Sequence, residues 1–187
     1  MATSSDDLGD EPAHHADCCV ALSKPLIQAM VDQLLRSPAL ILSVGSGTGL
    51  LENLLLQHAM EMDGSSPLDL YGIEVPTCVN KYLPEERSLR VASSRNLYTD
   101  AMFASAMIFV YPRQVSLVSE YIEVGLNGAL ERLLWLGHRS DWSDTMTTIS
   151  AGFAAIQYVE DPGIAEYELL VIATKPKRSR KQLAEDC

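Results

Sequence analysis

Apolar positions along this chain occur as short continuous runs separated by helix-spaced patterns. A run of strand length over residues 39–44 ends in three alternating glycines, and a leucine-rich helical pattern over 50–60 begins directly after them. Continuous apolar runs of this length are typical of strands buried on both faces of a sheet. The order of strand, glycine turn and helix is typical of a nucleotide-binding α/β domain.

The same patterns predict the remaining elements. Two further helices are predicted over 23–36 and 116–124, with a short helix over 79–86 broken at Pro84 and a helical stretch ending near 150. Strands are predicted over 39–44, 68–75, 88–92, 104–110, 130–136, 153–160 and 167–174.

The spacing of the glycines limits the class of nucleotide that this turn is expected to bind. A dinucleotide fingerprint requires glycine or alanine three places after its second glycine, where this chain has Leu50, and no lysine follows as in a P-loop. Glycine suits such a turn because it accepts unusual dihedrals and lets a ligand approach the backbone closely. The alternative is a glycine-rich loop that only turns the chain.

Gly-x-Gly-x-Gly after a strand resembles motif I of the class I S-adenosyl-L-methionine (SAM)-dependent methyltransferases. That family usually carries Asp or Glu two places before the first glycine, where this chain has Ser43. The resemblance implies SAM as cofactor. The candidate contacts that it implies are Ser43, Gly45, Ser46, Gly47, Thr48 and Gly49.

Two more positions follow from the same resemblance. Glu74 ends the second predicted strand, where an acid accepts hydrogen bonds from ribose hydroxyls. The loop at 63–67 explains the long interval from Gly45 to this acid. Residues after the third strand flank adenine in the family, which makes Ser93, Ser94 and Arg95 candidates. The alternative for Glu74 is an exposed acid at a strand end, and the alternative for residues 93–95 is a plain polar loop.

The closing pair of strands extends the resemblance over residues 23–174. The implied fold is α/β: a doubly wound, mostly parallel seven-stranded sheet with a C-terminal antiparallel hairpin. The chain also looks similar to small methyltransferase-like proteins of fungal metabolism. We expect a mobile N-terminal tail over 1–20, the domain over 21–174 and a basic C-terminal tail over 175–187.

The expected activity is methyl transfer from SAM to a small molecule. Because the sulfonium is already activated, catalysis consists mostly of alignment, and a base is needed only if the acceptor must lose a proton. His138, after strand five, is the first candidate base and Tyr111, after strand four, the second. A histidine bonded merely to backbone is the alternative for His138. Around Tyr111 only Pro112 matches the motif of amino-methylating members, so nitrogen is not supported as acceptor.

A second class of function stays open. The chain carries Ser43 in place of the usual acid and has no inserted substrate domain. A methyltransferase fold that no longer transfers methyl would fit these features. It could act as a cyclase or isomerase of specialised metabolism, or as a non-catalytic subunit.

Composition limits the remaining possibilities. With 187 residues, 47% of them apolar, the chain predicts one globular domain. A net charge of −11 argues against a nucleic-acid or anionic-membrane partner.

The acidic start lacks a signal-peptide pattern, and four scattered cysteines suggest no disulfide framework, so we expect a cytoplasmic protein. The basic run at 175–181 allows nuclear import, although a solvated charge run is the simpler interpretation. The spacing of His14, His15, Cys18 and Cys19 fits no common zinc pattern, so no metal is expected.

Overall fold

The computed structural model describes residues 7–62, 66–160 and 163–175. Four α-helices and nine strands follow one another along these residues. In chain order they are β1 (Ala13–His14), β2 (Ala21–Leu22), α1 (Lys24–Gln33), β3 (Leu40–Val44), α2 (Leu50–Glu61), β4 (Asp69–Glu74), β5 (Ser88–Arg90), β6 (Ala106–Val110), α3 (Val115–Leu126), β7 (Arg132–His138), α4 (Arg139–Gly152), β8 (Ala155–Val159) and β9 (Glu168–Thr174).

Seven of the strands form one sheet in the order β5-β4-β3-β6-β7-β9-β8. The first five in that order pair in parallel, whereas β9 runs antiparallel to both β7 and β8. This confirms the predicted doubly wound sheet with its antiparallel C-terminal hairpin. The chain leaves β3 towards β4 on one side and later returns to β6 on the other. In such sheets a ligand crevice lies outside the carboxyl ends of the strands at this switch point.

The alternation along the strands separates two apolar layers. Ile41 of β3 packs with α1 and α2, whereas the neighbouring Leu42 packs with α3 and α4. Because successive strand side chains point to opposite faces, Ser43 belongs to the layer of Ile41 and therefore lies under α2. Covering both faces explains why the central strands read as continuous apolar runs.

The predicted helix over 79–86 is wrong. The structure has a turn there, followed by a short 3₁₀ helix over Glu85–Arg87. The Asn80 side chain accepts a hydrogen bond from the Leu83 N–H at 3.0 Å and donates to the Leu83 carbonyl at 2.7 Å. Such local side-chain bonds compete with a helical ladder, and Pro84 stops one from forming afterwards.

The predicted tail over 1–20 also needs correction, because its described part packs on the domain. β1 pairs with β2, and Val20 is fully buried. Asp17 accepts hydrogen bonds through its backbone carbonyl from the Thr48 hydroxyl at 2.7 Å and through its carboxylate from the Tyr82 hydroxyl at 2.8 Å. Its polar composition resembles a tail, yet these contacts hold residues 13–22 on the domain.

The C-terminal tail assigned to 175–187 lies outside the described residues from Pro176 onward. Lys175 itself is attached, since its N–H donates to the Glu131 carbonyl at 2.8 Å and its ammonium to the Leu126 carbonyl at 3.0 Å. Within the described ranges, no helix combines the length and apolarity that a membrane crossing requires.

The packing of the N-terminal segment predicts a stability effect. Val20→Ala should lower the free energy of unfolding by about 1–3 kcal/mol, because it removes two methyl groups from a buried site. Urea denaturation measures this, with Cys19→Ala as the control, because Cys19 is exposed. Equal unfolding midpoints for the Val20→Ala variant and the unaltered chain would show that the segment is not packed.

Candidate active site

The glycine turn between β3 and α2 is bonded to the end of β4. Gly45, Gly47 and Gly49 have φ values of 80°, 58° and 80°, a region that favours glycine. The N–H groups of Gly45 and Ser46 both donate to the Ile73 carbonyl, at 2.9 and 3.2 Å. The turn therefore lies directly over the carboxyl end of β4.

Glu74 joins the same turn through its side chain. Its Oε2 accepts from the Gly47 N–H at 2.9 Å, and its Oε1 accepts from the Val75 N–H at 2.8 Å. The structure thus brings together the glycine turn and the acid that the sequence singled out, although they lie 27 residues apart. Carboxylates held by backbone N–H groups in this way keep a fixed orientation.

The three glycines of the turn face different surroundings. A Cβ added to Gly45 or Gly47 would meet no atom within 4 Å, so the space over these two residues is open. A Cβ on Gly49 would lie 2.7 Å from the Leu83 Cβ. Gly49 therefore packs against the protein itself, whereas Gly45 and Gly47 leave room for a ligand.

Ser46 and Thr48 are engaged by the fold. The Ser46 side chain lies against Gly72, where an added Cβ would be 2.6 Å from its Oγ. The Thr48 hydroxyl donates to Asp17, and its carbonyl accepts from the N–H groups of Lys81 and Tyr82. In this structure both side chains hold the turn in place.

Ser43 forms a pair with an acid that sequence analysis missed. Its hydroxyl donates to Oε1 of Glu52 at 2.6 Å. Glu52 is 2% exposed, and its Oε2 has no hydrogen-bond partner among the described residues. Burial raises the pKa of Glu52 to about 7, against the opposing effect of the Ser43 hydrogen bond.

The loop after β5 lies beside Glu74. The Val91 N–H donates to the Glu74 carbonyl at 3.1 Å. Ser93, Ser94 and Arg95 are all exposed, and the Ser93 hydroxyl donates to Asn96 at 2.7 Å. The loop is therefore close enough in the fold to border a ligand held at Glu74, with its side chains at the surface.

Tyr111 follows β6 and is paired with a second buried acid. Its φ of 45° is unusual for a residue other than glycine, and its hydroxyl donates to Oε1 of Glu168 at 2.9 Å. Glu168 is fully buried, its Oε1 also accepts from the Ala21 N–H at 3.2 Å, and its Oε2 has no partner in the described chain. Burial raises the pKa of Glu168, and burial followed by the bond to Glu168 holds the pKa of Tyr111 well above its usual value.

His138 serves as the cap of α4. Its Nδ1 accepts from the Ser140 N–H at 3.2 Å and lies 2.7 Å from the Ser140 hydroxyl. A neutral imidazole that accepts at Nδ1 carries its proton on Nε2, which is then a donor and not a base. The ring stacks on Tyr167 at 5.9 Å, and Tyr167 in turn stacks on His14 at 6.1 Å.

Sequence patterns contain a faint signal for the two missed acids. Glu52 interrupts the leucines of α2 at a position that helical spacing assigns to the buried face, and Glu168 opens the apolar run of β9. An acid inside an apolar pattern is worth examining because buried charges require a partner or a purpose. Among the described residues, no group of three metal-ligating side chains converges.

Comparison with known proteins identifies the fold. No protein-family model matches the chain, and no curated protein matches its sequence. Solved structures do match. A SAM-dependent methyltransferase from Aquifex aeolicus has a TM-score of 0.55 and 15% identity over 80% of this chain and 88% of its own. A precorrin-6y C5,15-methyltransferase from Geobacter metallireducens has a TM-score of 0.56 and 8% identity over 91% and 96%.

A third structure, magnesium protoporphyrin IX methyltransferase from Synechocystis with bound SAM, has a TM-score of 0.50 and 14% identity over 81% of this chain and 78% of its own. At these identities the likeness concerns the fold. The chain has the fold of class I SAM-dependent methyltransferases.

The burial of Glu52 predicts a pH-dependent stability. When folding raises the pKa of an acid, the folded protein loses stability as the pH rises from the pKa of the unfolded state to the pKa of the folded state. Between pH 4.5 and 8 the Glu52→Gln variant should therefore gain about 3 kcal/mol over the unaltered protein, from a shift of 4.5 to about 7. Urea unfolding across this range measures the difference. Glu61→Gln, an exposed acid on the same helix, is the control, and a pH-independent difference would contradict the prediction.

Proposed function

We propose that this protein is a SAM-dependent methyltransferase acting on a small-molecule acceptor. The observation that carries the proposal is the turn over Gly45 and Gly47, open above both residues and bonded to Glu74. In this combination Glu74, our candidate ribose-binding acid, lies next to a backbone surface that a cofactor can approach closely. The Synechocystis structure of the same fold contains SAM, which supports the same cofactor here.

The residues present fit that cofactor. Glu74 would accept hydrogen bonds from the ribose hydroxyls, Gly45 and Gly47 would border the methionine and ribose parts, and the loop from Ser93 to Arg95 would border adenine. Bound SAM supplies an electrophilic methyl group. The remaining work of the protein is to hold an acceptor in line and to manage its proton.

Tyr111 and Glu168 are the best candidates for handling that proton. They lie at the carboxyl end of β6 and the start of β9, next to the switch point of the sheet. An acceptor hydroxyl would pass its proton to the Tyr111 oxygen while the Tyr111 proton moves to Glu168. His138, with its Nδ1 occupied by Ser140, offers an Nε2–H that orients an acceptor and does not deprotonate it.

A small acceptor fits the charge of the chain better than nucleic acid does. The net charge is −11, and Glu74, the acid that ends β4, is bonded to the glycine turn itself. A polyanion would meet repulsion there. The acceptor class is therefore our inference from charge.

One observation favours the alternative of a methyltransferase fold without methyl transfer. The Tyr111–Glu168 pair provides a proton donor and acceptor, which a cyclase or isomerase needs and which many methyl transfers do not. Such an enzyme would turn over without SAM, and its product would have the mass of its substrate. A non-catalytic subunit would depend on neither residue.

Cofactor binding gives the first test of this function. S-adenosylhomocysteine at 100 times its dissociation constant should stabilise the fold by about 2.7 kcal/mol, which a thermal melt detects. Glu74→Ala should weaken that binding by about 1.5–3 kcal/mol, the range for a hydrogen bond to a charged group. Glu86→Ala, which changes an exposed acid in the 3₁₀ helix before β5, should bind like the unaltered protein. If neither thermal melts nor calorimetry detects binding of S-adenosylhomocysteine, the methyltransferase proposal is wrong.

Turnover gives the second test. With SAM and a pool of small metabolites, mass spectrometry should reveal a product heavier by one methyl group, about 14 Da. Tyr111→Phe should slow its formation by about 10²–10⁴, the usual effect of a lost proton-transfer group, with binding of S-adenosylhomocysteine unchanged. Tyr158→Phe on the edge strand β8 is the control. Turnover at unchanged mass without SAM would establish the alternative.

A further inference from the structure

Three aromatic rings from separate parts of the chain stack on one another at the carboxyl edge of the sheet. The centroid of the Tyr167 ring, just before β9, lies 5.9 Å from that of His138 and 6.1 Å from that of His14, at interplanar angles of 23° and 12°. The Tyr167 hydroxyl is also 2.9 Å from Nε2 of His14. These contacts join the end of β7, the start of β9 and β1 of the N-terminal segment into one aromatic surface, which we call the ring stack.

The ring stack faces solvent and is not part of the core. Tyr167 is 39% exposed, and His14 and His138 are both exposed. Among the described residues, neither imidazole contacts a second ring besides Tyr167. A flat ligand can therefore approach the stack from solvent without any rearrangement of the core. Exposed rings held in fixed mutual positions are suited to bind another ring by offset or edge-to-face contact.

The ring stack adjoins the Tyr111–Glu168 pair. Tyr167 directly precedes Glu168, and His138 is the residue that pairs with Glu168 between β7 and β9. The Tyr111 N–H donates to the carbonyl of Leu136, two residues before His138, at 2.8 Å. Tyr111 is only partly buried, so a ligand can reach its hydroxyl. A ring stacked on His138 would therefore lie beside that hydroxyl.

The chemistry of the pair limits which hydroxyl it can deprotonate. Glu168 accepts from the Tyr111 hydroxyl at 2.9 Å, and a carboxylate is a weak base even though burial raises the pKa of Glu168. Such a base removes a proton readily only from a relatively acidic hydroxyl. A phenol is similar to a free tyrosine side chain, with a pKa of about 10, whereas an aliphatic alcohol is far less acidic. The pair therefore favours an aromatic hydroxyl over an aliphatic one.

We propose that the acceptor is a phenol, bound with its ring on the ring stack and its hydroxyl at Tyr111. The proposal rests on the proposed function, since it names the acceptor class of the same site. The phenolic O–H bond breaks as its proton moves to the Tyr111 oxygen, and the Tyr111 proton moves to Glu168, which becomes neutral. His14, Tyr167 and His138 are then specificity-determining residues, and Tyr111 is the group that contacts the reacting oxygen.

Two probes of similar shape test the ring contact in the full chain saturated with S-adenosylhomocysteine. The first is 2-naphthol, which has flat aromatic rings and a phenolic hydroxyl. The second is decahydro-2-naphthol, which has the same carbon skeleton and hydroxyl without aromatic rings. In titrations followed by NMR, 2-naphthol should bind at least about tenfold more tightly, because only its rings make aromatic contacts with the stack.

Variants test the individual contacts. His138→Asn removes the ring but keeps the cap of α4, because an Asn side chain also accepts from an N–H at a helix start. His138→Asn and His14→Ala should each weaken binding of 2-naphthol about two- to tenfold, the effect of one aromatic contact, with S-adenosylhomocysteine binding unchanged. Tyr111→Phe should weaken 2-naphthol to a similar extent through the lost hydrogen bond. Phe103→Ala is the control, since it removes an exposed ring just before β6, at the opposite edge of the sheet.

The outcomes distinguish the two proposals. If the unaltered protein does not bind S-adenosylhomocysteine, the proposed function fails and the acceptor role of the ring stack fails with it. If S-adenosylhomocysteine binds but 2-naphthol does not, or binds no better than decahydro-2-naphthol, the function stands and the phenol proposal is wrong. Undiminished 2-naphthol binding by His138→Asn and His14→Ala would also overturn it, as would an equal loss in Phe103→Ala.

Discussion

The Ile73 carbonyl is the point on which the candidate site depends. It accepts from two consecutive N–H groups of the glycine turn, and the next residue, Glu74, accepts from Gly47. These bonds join the ends of β3 and β4 into one rigid edge. They also explain Gly72, because a Cβ there would lie 2.6 Å from the Ser46 Oγ and would push the turn away from β4. Glycine is thus needed on both sides of this contact, in the turn for its dihedrals and in the strand for space.

The acids around this edge show a balance between stability and binding. Glu52 and Glu168 are both buried, and each retains an oxygen without a partner among the described residues. Each is held by a neighbouring hydroxyl, from Ser43 or Tyr111, which fixes the orientation of the carboxyl group. Pre-orientation lowers the entropy that binding must overcome, while the unpaired oxygens make the free protein less stable than an apolar core would. Sites that bind charged groups commonly carry this cost.

Local periodicity explains why much of the fold could be predicted from sequence. The central strands β3, β6 and β7 are short apolar runs, and the run ending at Val44 is followed at once by its glycines. The order of the elements could therefore be predicted, with Glu74 as the acid that ends the second predicted strand. The pairing of Glu52 with Ser43, nine residues away, and of Glu168 with Tyr111, 57 residues away, could not be predicted, because these contacts depend on how the elements pack. The turn around Asn80 was missed because a single side chain there outweighs helical spacing.

The N-terminal segment shows how such distant contacts complete the edge. Asp17 contacts the turn through Thr48 and the loop beyond β4 through Lys81 and Tyr82. The hydrogen bond from Lys81 contributes most to lowering the pKa of Asp17. Exposed ion pairs of this kind contribute little in water and are screened by salt. Burial of Val20 contributes more, since transfer of apolar surface does not depend on ionic strength. The apolar contact therefore holds the segment on the domain, and the polar contacts of Asp17 determine where it meets the turn.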